Sequence, residues 1–359
     1  MCSLAGKGKS ECFANSGRCT CNPNSFIAEK IRHDRSFVVV LQKKITVRIV
    51  TLTLNPALDK STTTLRLIPE HKLRCTDMKT DAGGGGINVS KGIGKLGGKS
   101  LAVLPCGGIN GTLLVSMLEK AGIDTSVVSV NGETRENISV TETGTNQQFR
   151  FTLPGMTLST EDADKCLKAV EGARPDILVA SGSLPPGLPV TYYEQVAAFT
   201  KKIGARLILD TSGEALSAAA DEGLYLLKPN LAELSALSGV SQLEMDEVDD
   251  AARLIIEKGQ CEIVVVSLGA QGAMLVTRDI VKHIPAPPVK KQTTVGAGDS
   301  MVAGLVWAMS YGKTPVEMVQ MGVACGSAAT LNRGTDLFDK TEAERLLRWI
   351  ESRDLLSEL

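Results

Sequence analysis

The chain has little net charge, no long apolar run and no ordered set of cysteines, and each lack removes a class of function. Its 39 Lys and Arg are balanced by 40 Asp and Glu, a formal charge of −1, so no global basic field draws it to nucleic acid or to an anionic membrane surface. No apolar stretch approaches the roughly 20 residues needed to span a bilayer. The candidate near the start, Phe37–Leu41, is too short even for a secretory h-region. We therefore expect a cytoplasmic protein with neither nucleic acid nor membrane as a partner. Of nine cysteines, Cys2, Cys12, Cys19 and Cys21 fall in the first 21 residues and the other five are scattered. Scattered cysteines in a chain of this size imply reduced thiols. Cys12, Cys19 and Cys21 lack the paired spacing of a zinc site, and nearby His33 does not supply it.

What remains is an ordinary globular composition: 43% hydrophobic and 22% charged over 359 residues, enough for one large α/β domain or two smaller ones. Residues 1–46 differ from the rest, being Ser/Asn/Cys/Lys-rich and without periodicity until Phe37. A disordered tail, a targeting peptide and translation from an upstream start each fit; we favour the tail or the start-site artefact, with Val47 read from an alternative initiation codon. From Val47 onward short apolar runs (Val47–Leu54, Leu101–Leu104, Ile177–Ala180, Leu207–Asp210, Ile263–Ser267) alternate with helical stretches (Ile87–Leu96, Leu113–Lys120, Tyr192–Ile203, Asp249–Glu257, Val316–Thr330). Strands apolar on both faces, separated by helices, predict a mainly parallel sheet covered on both sides. Residues 60–81 and 134–153 break the rhythm with polar, alternating β segments, the second joined by Gly144-Thr145-Asn146, a hairpin signal. They predict a small sheet standing off the main one as a lid or as a surface for another subunit.

The sharpest chemical signal is Thr294-Val295-Gly296-Ala297-Gly298-Asp299-Ser300, a glycine turn and a carboxylate opening the apolar helix Ser300–Ser310. Helix-start amides have no internal partner, and the macrodipole adds partial positive charge there. Such a turn cradles an anion while Asp299 accepts a proton, an arrangement suited to phosphoryl transfer to a hydroxyl. A plain Asp cap on a core helix explains the same residues. Gly83–Gly86 with Asn88 precede another helix and can bring backbone N–H groups to a ligand. Asn230 and Glu233 follow the apolar run Leu224–Leu227, as ligand groups or as a helix cap. Ser267–Gly272 is a nucleotide loop or a turn. Gly92-Ile93-Gly94-Lys95-Leu96-Gly97 matches a dinucleotide fingerprint only as text, because it falls in a helix.

Taken in order, "TLTLNPALD", "GGGGINVSKGIGKLGG", "SGSLPPG", "KPNLAEL", "SLGAQGA" and "TTVGAGDSMVAG" closely resemble the ribokinase-like (PfkB) family of sugar kinases, from Val47 to about Asn332. Pro69–Thr76 and the all-glycine Gly83–Gly86, with Thr211–Ala219 as a further correspondence, resemble its 6-phosphofructokinase branch, whereas 1-phosphofructokinases and tagatose-6-phosphate kinases typically carry lysine at the position of Gly85. The resemblance implies a three-layer sandwich, and transfer of the ATP γ-phosphoryl group to the C1 hydroxyl of fructose 6-phosphate. It implies Asp299 as the base, ionised near its reference value of about 3.9, and Gly296, Ala297 and Gly298 as the anion hole. Asp59, Gly83, Gly84, Asn88 and Ser183 would hold the sugar. Lys72 and Arg135, with Arg74 a further candidate, would hold its 6-phosphate. Asn230 and Glu233 would orient Mg²⁺ through water, and Lys228 would reach the ATP phosphates. Ser267, Gly269 and Gly272 match the nucleotide loop, with Val323 and Ser327 near the adenine. Thr293 stands where the signature often has Asp, which leaves a potassium site open. A homodimer joined through the lid strands is the arrangement implied.

Overall fold

The computed structural model describes residues 11–12, 26–33, 36–43, 47–332 and 336–357. The chain divides into two units, Met1–Val47 and Arg48–Leu359. Most of residues 1–46, and with them the expectation of a tail or start-site artefact, lie outside the described residues. The described ones form three strands, β1 (Glu11–Cys12), β2 (Phe26–His33) and β3 (Ser36–Lys43), paired antiparallel in the order β1-β3-β2. Among the described residues, regular structure thus starts before Phe37, with Phe26–His33 paired along β3.

The second unit begins with β4 (Ile49–Leu52), β5 (Ala57–Thr64), β6 (Thr76–Gly83), α1 (Gly85–Lys95), β7 (Leu101–Cys106), α2 (Gly108–Lys120) and β8 (Asp124–Ser129). Next come β9 (Arg135–Glu142), β10 (Gln148–Thr152), α3 (Thr160–Ala173), β11 (Ile177–Ser181), α4 (Tyr192–Lys202), β12 (Arg206–Asp210), α5 (Glu214–Ala220) and β13 (Leu224–Leu227). The remainder is α6 (Leu231–Ser238), α7 (Val248–Glu257), β14 (Cys261–Ser267), β15 (Ala273–Val276), β16 (Val281–Ile284), α8 (Ala297–Ser310), α9 (Pro315–Ala329) and α10 (Lys340–Ser357).

The main sheet runs β16-β15-β14-β13-β12-β11-β4-β7-β8. Every pair from β14 to β8 is parallel, and β15 and β16 extend it antiparallel. Along β4 the alternation fixes two covered faces. Val50 and Leu52 join a core with Cys166 and Val170 of α3, Val196 of α4 and Ile255 of α7; Thr51 faces α1, its Oγ1 2.8 Å from Ser90 Oγ. The three layers follow. The chain moves outward one way from β4 through β7 to β8, and the other way from β11 to β14. The reversal between β4 and β11 opens the crevice in which ligands of open α/β sheets bind, beyond the C-terminal strand ends.

The segments expected to form a lid make a separate, smaller sheet, β10-β9-β5-β6, with a parallel β5–β9 pair between two antiparallel ones. Its hairpin turns at Asn146, whose φ of 58° is the left-handed region that Asn tolerates. Gly83, ending β6, hands the chain straight to α1, so lid and crevice share one glycine run. No helix among the described residues is long and apolar enough to cross a membrane. Of the described cysteines Cys75 is exposed, whereas Cys106, Cys166, Cys261 and Cys325 are buried and free. Burial pushes the Cys106, Cys166 and Cys261 thiols up to about 12, which leaves them inert packing groups.

Candidate active site

Gly296 takes the left-handed conformation, φ 71°, and turns the chain into α8. The Ser300 amide bonds back to Gly296 O at 2.9 Å. The Gly298 and Asp299 amides take no backbone partner among the described residues, so two donors point out of the helix start. Lys228, at the end of β13, adds charge here: a Cβ on Gly298 would stand 3.7 Å from Lys228 Nζ. Free amides, the helix dipole and an ammonium therefore converge on one spot, suited to negative charge.

Asp299 lies in the first turn of α8 and is partly accessible. Its Oδ2 accepts from Asn88 Nδ2 at 2.9 Å. Desolvation pushes its carboxyl up to about 6, helped by the charges of Asp210 and Asp59 and opposed by Asn88 and Lys228. The expected value near 3.9 is thus corrected: the residue stays mostly ionised at neutral pH, but as a stronger base than a free aspartate. Close packing of α1 against α8 sets this contact. One turn beyond Asn88 and Asp299, a Cβ on Gly92 would come 2.5 Å from Ala303 Cβ, so only glycine lets the helices approach this closely.

Lys228 is buried, 7% exposed, and its Nζ lies 3.2 Å from Asp210 Oδ1. Burial works against the ammonium, but Asp210 outweighs it, with Glu233 and Asp299 adding attraction, and holds its pKa above the ordinary lysine value. Asp210 also accepts from Ser181 Oγ at 3.4 Å. At the neighbouring strand end, Asn230 Oδ1 accepts from the Glu233 amide and Glu233 Oε2 from the Asn230 amide, both at 2.9 Å. This is a complete capping box on α6, and it leaves the second Glu233 carboxylate oxygen with no partner among the described residues. Asn230 bridges to Ser267, whose amide donates to Pro229 O at 2.8 Å, so the Lys228–Glu233 and Ser267–Gly272 loops meet. Gly269–Gln271 form a short 3₁₀ turn, and a Cβ on Gly272 would fall 2.1 Å from Ile284 O. Val323, buried, and Ser327, half-buried, lie one turn apart on α9. Ser327 follows Gly326, which packs against Ala297 and Met301 of α8.

On the lid side, Asp59 and Asn137 are opposite partners in the β5–β9 pair, and Asn137 Nδ2 donates to Asp59 Oδ1 at 2.8 Å. Desolvation raises the Asp59 pKa, while Asn137, Arg135 and Lys91 pull it back. A Cβ on Gly83 would fall 1.9 Å from Asp59 Oδ2, and one on Gly85 2.1 Å from Ser181 Oγ. Both glycines are therefore required for close approach, and Gly84 is required for its φ of 116°. Arg135 donates to Asn55 O at 3.0 Å and to Leu153 O at 3.2 Å. Its Nε is buried and without a partner among the described residues. Asn55 also reaches Ser183 Oγ from Nδ2 at 3.3 Å. These residues line a cleft of about 670 Å³ with Gly155 and Pro186. Lys72 and Arg74 stand apart: both are exposed in loop 65–75 at the far end of the hairpin, where Arg74 O accepts from Thr64 Oγ1. Five residues of strand from Asp59 to Thr64 place that tip roughly 16 Å from Asp59.

A family model for pfkB family carbohydrate kinases matches residues 52–342. The chain belongs to that family. It is 43% identical over 309 residues to ATP-dependent 6-phosphofructokinase isozyme 2 of Escherichia coli K12, covering 85% of this chain and 99% of the relative. It is 34% identical over 293 residues to 1-phosphofructokinase of Xanthomonas campestris, covering 79% and 91%. The crystal structure of phosphofructokinase-2 from Escherichia coli in complex with potassium superposes with a TM-score of 0.82 at 43% identity, covering 85% and 99%. The fold expected from the sequence, a parallel sheet between helix layers with a small second sheet, is the one this pfkB kinase adopts.

Three groups of this pfkB kinase carry no role in the sequence reading. Asp210 holds Lys228 and is itself held by Ser181, and Asn137 holds Asp59. Asp210 was visible only as the polar end of the apolar run Leu207–Asp210, at the strand edge where ligands gather. Nothing in the sequence pairs Asn137 with Asp59, because that contact depends on the parallel register of two lid strands.

Proposed function

We propose that the chain transfers the γ-phosphoryl group of ATP to the C1 hydroxyl of fructose 6-phosphate, giving fructose 1,6-bisphosphate. The observation that carries the reading is the meeting of Asp299, Asn88, Lys228 and the free Gly298 and Asp299 amides at one point. Asp299 Oδ accepts the hydroxyl proton as the new O–P bond forms and the bond from the γ-phosphorus to the β,γ-bridging oxygen breaks, releasing ADP. The amides and Lys228 Nζ stabilise the charge on the moving phosphoryl group. Asp59, Asn88 and Ser183 orient the sugar, with Gly83 and Gly84 giving it room. Arg135, two of its N–H groups tied to carbonyls and its Nε unpaired, faces the sugar-phosphate side.

For the metal, no cluster of three His, Cys, Asp or Glu among the described residues is placed to hold an ion directly. The unpartnered Glu233 oxygen and the Asn230 side chain fit an ion held through water and ATP phosphates. Magnesium there would neutralise phosphate charge. A potassium ion beside the Thr293–Gly296 turn is the monovalent counterpart, suggested by the potassium complex of the Escherichia coli protein.

Two features favour fructose 6-phosphate over fructose 1-phosphate or tagatose 6-phosphate. Ser181 Oγ occupies the space that a side chain at Gly85 would need, which excludes the lysine typical of those branches. The identity to the 6-phosphofructokinase also exceeds that to the 1-phosphofructokinase. The lid supports a homodimer: Leu65 is 77% exposed, Met78 65% and Phe151 49%, an apolar face suited to a second copy. In that dimer Lys72 and Arg74, remote from their own Asp59, reach the sugar phosphate of the other subunit.

Assaying the purified protein with ATP and fructose 6-phosphate, fructose 1-phosphate or tagatose 6-phosphate, side by side, tests the reading. The highest kcat/KM should fall on fructose 6-phosphate. Preference for another sugar would reassign the acceptor, and transfer no faster than background would leave a sugar-phosphate-binding regulator.

A further inference from the structure

Glu142, the last residue of β9, is a carboxylate 5% exposed, with no ion pair among the described residues. Buried charge of this kind is costly unless fully hydrogen-bonded. Here both oxygens are engaged: Oε1 accepts from the Leu67 amide and Oε2 from Thr145 Oγ1, each at 2.6 Å. These bonds hold its pKa below the ordinary range, and Arg66 adds a weaker attraction. A carboxylate accepts from both partners at once, whereas an amide would keep one acceptor for the Leu67 N–H and make the Thr145 hydroxyl turn to accept.

What Glu142 holds is the start of loop 65–75, Leu65-Arg66-Leu67-Ile68-Pro69-Glu70-His71-Lys72-Leu73-Arg74-Cys75. The loop carries Arg66, Lys72 and Arg74 against a single acid, Glu70. Besides Glu142, it is clamped by backbone bonds from Thr143 to Thr64 O and from Gly144 to Leu65 O, by the Thr143 hydroxyl to Thr64 O, and by the Thr64–Arg74 contact. Concentrating like charges on an exposed loop favours its detachment, and a fixed anion beneath it offsets that repulsion.

We propose that Glu142 is a positioning residue that fixes loop 65–75 as a binding element for a phosphate monoester dianion, acting through Lys72 and Arg74. The inference rests on the reading of those two cations as sugar-phosphate ligands. Glu142 itself touches no substrate; it ties the loop to the rigid hairpin, so that binding does not first have to order it.

Two variants of the full-length protein, Glu142→Ala and Glu142→Gln, are compared with the native chain in kinetics and in limited trypsin digestion, cleavage after Lys72 and Arg74 being followed by mass. In Glu142→Ala the KM for fructose 6-phosphate should rise about tenfold, while kcat and the KM for ATP stay within about twofold. Cleavage in the loop should accelerate about tenfold. Glu142→Gln, which keeps an acceptor for the Leu67 amide, should fall between, and it serves alone if Glu142→Ala fails to fold. An unchanged KM, or parallel losses in kcat and both KM values together with a lower Tm, overturns the proposal by reducing Glu142 to a structural role. Inorganic phosphate supplies an arm independent of the kinase reading: it should slow cleavage after Lys72 and Arg74 in the native chain and not in Glu142→Ala. Absence of that protection overturns the proposal even where fructose 6-phosphate is turned over. Protection without turnover retains the loop as a phosphate element and discards the kinase reading instead.

Discussion

Asn88 of α1 and Asp299 of α8 meet across two helices, Nδ2 donating to Oδ2 at 2.9 Å, and Gly92 and Ala303 set the helix separation one turn further on. On the proposed reading a sugar-side residue thus orients the base, and both depend on one glycine. Substituting Asp299→Asn keeps an oxygen for Asn88 but removes the proton acceptor. We expect kcat to fall by about 10³-fold with the KM for fructose 6-phosphate within about threefold. Near-normal turnover in that variant would remove Asp299 from the mechanism.

Gly92→Ala should report on the same contact without touching the chemistry. Its Cβ would overlap Ala303 and push α1 away, at a cost of about 1–3 kcal/mol. A lower Tm and a reduced kcat should appear together; an unaltered kcat would separate helix packing from orientation of the base.

The carboxyl of Asp299, raised from 3.8 to about 6, gives a pH signature. Below pH 6 the base is protonated, so kcat should fall toward tenfold per pH unit and level off above pH 7. The stability linkage has the opposite sense: a group raised in the folded state costs stability when ionised, and the cost is relieved as pH falls through 6. Asp299→Asn should therefore melt above the native protein at pH 8, with the gap closing toward pH 4. A gap independent of pH would place the Asp299 pKa near its ordinary value.

Lys228→Met tests the ammonium at the anion turn. It leaves Asp210 without its partner, and losing one member of a buried pair costs about 3–5 kcal/mol. Pairing it with Asp210→Asn should recover much of the Tm but little of the kcat. Recovery of both would make the pair structural only.

Arg135→Ala removes two donors to carbonyls and the buried Nε. The expected outcome is a KM for fructose 6-phosphate raised about 10- to 100-fold, with the KM for ATP little changed. Sugar affinity untouched by this change would take Arg135 out of the phosphate subsite.

The apolar runs at Leu224–Leu227 and Ile263–Ser267 were legible as strands because both faces are covered, which writes burial directly into composition. The hairpin at Gly144–Asn146 was equally legible, since its turn needs a residue tolerant of positive φ. Register was not. Which residue of β9 lies beside Asp59 follows from strand pairing between segments nearly 80 positions apart, and no local pattern encodes it. Burial was also hidden at Asp299: its reference pKa is a property of the residue, whereas the shift to about 6 comes first from desolvation and then from Asp210 and Asp59, all brought in by other elements. Lys72 and Arg74 read as site cations, yet their place at a hairpin tip depends on how far the two lid strands extend.

The separation of 211 residues between Asn88 and Asp299 also has a meaning in time. At about 5–20 residues per second, the sugar-side loop leaves the ribosome some 10–40 s before the anion turn does. During that interval the nascent chain carries Asp59 and Asn88 without Asp299, and α1 lacks the helix against which Gly92 packs. On the proposed reading, phosphoryl transfer therefore switches on only near the end of synthesis, and a chain truncated before α8 should not acquire it.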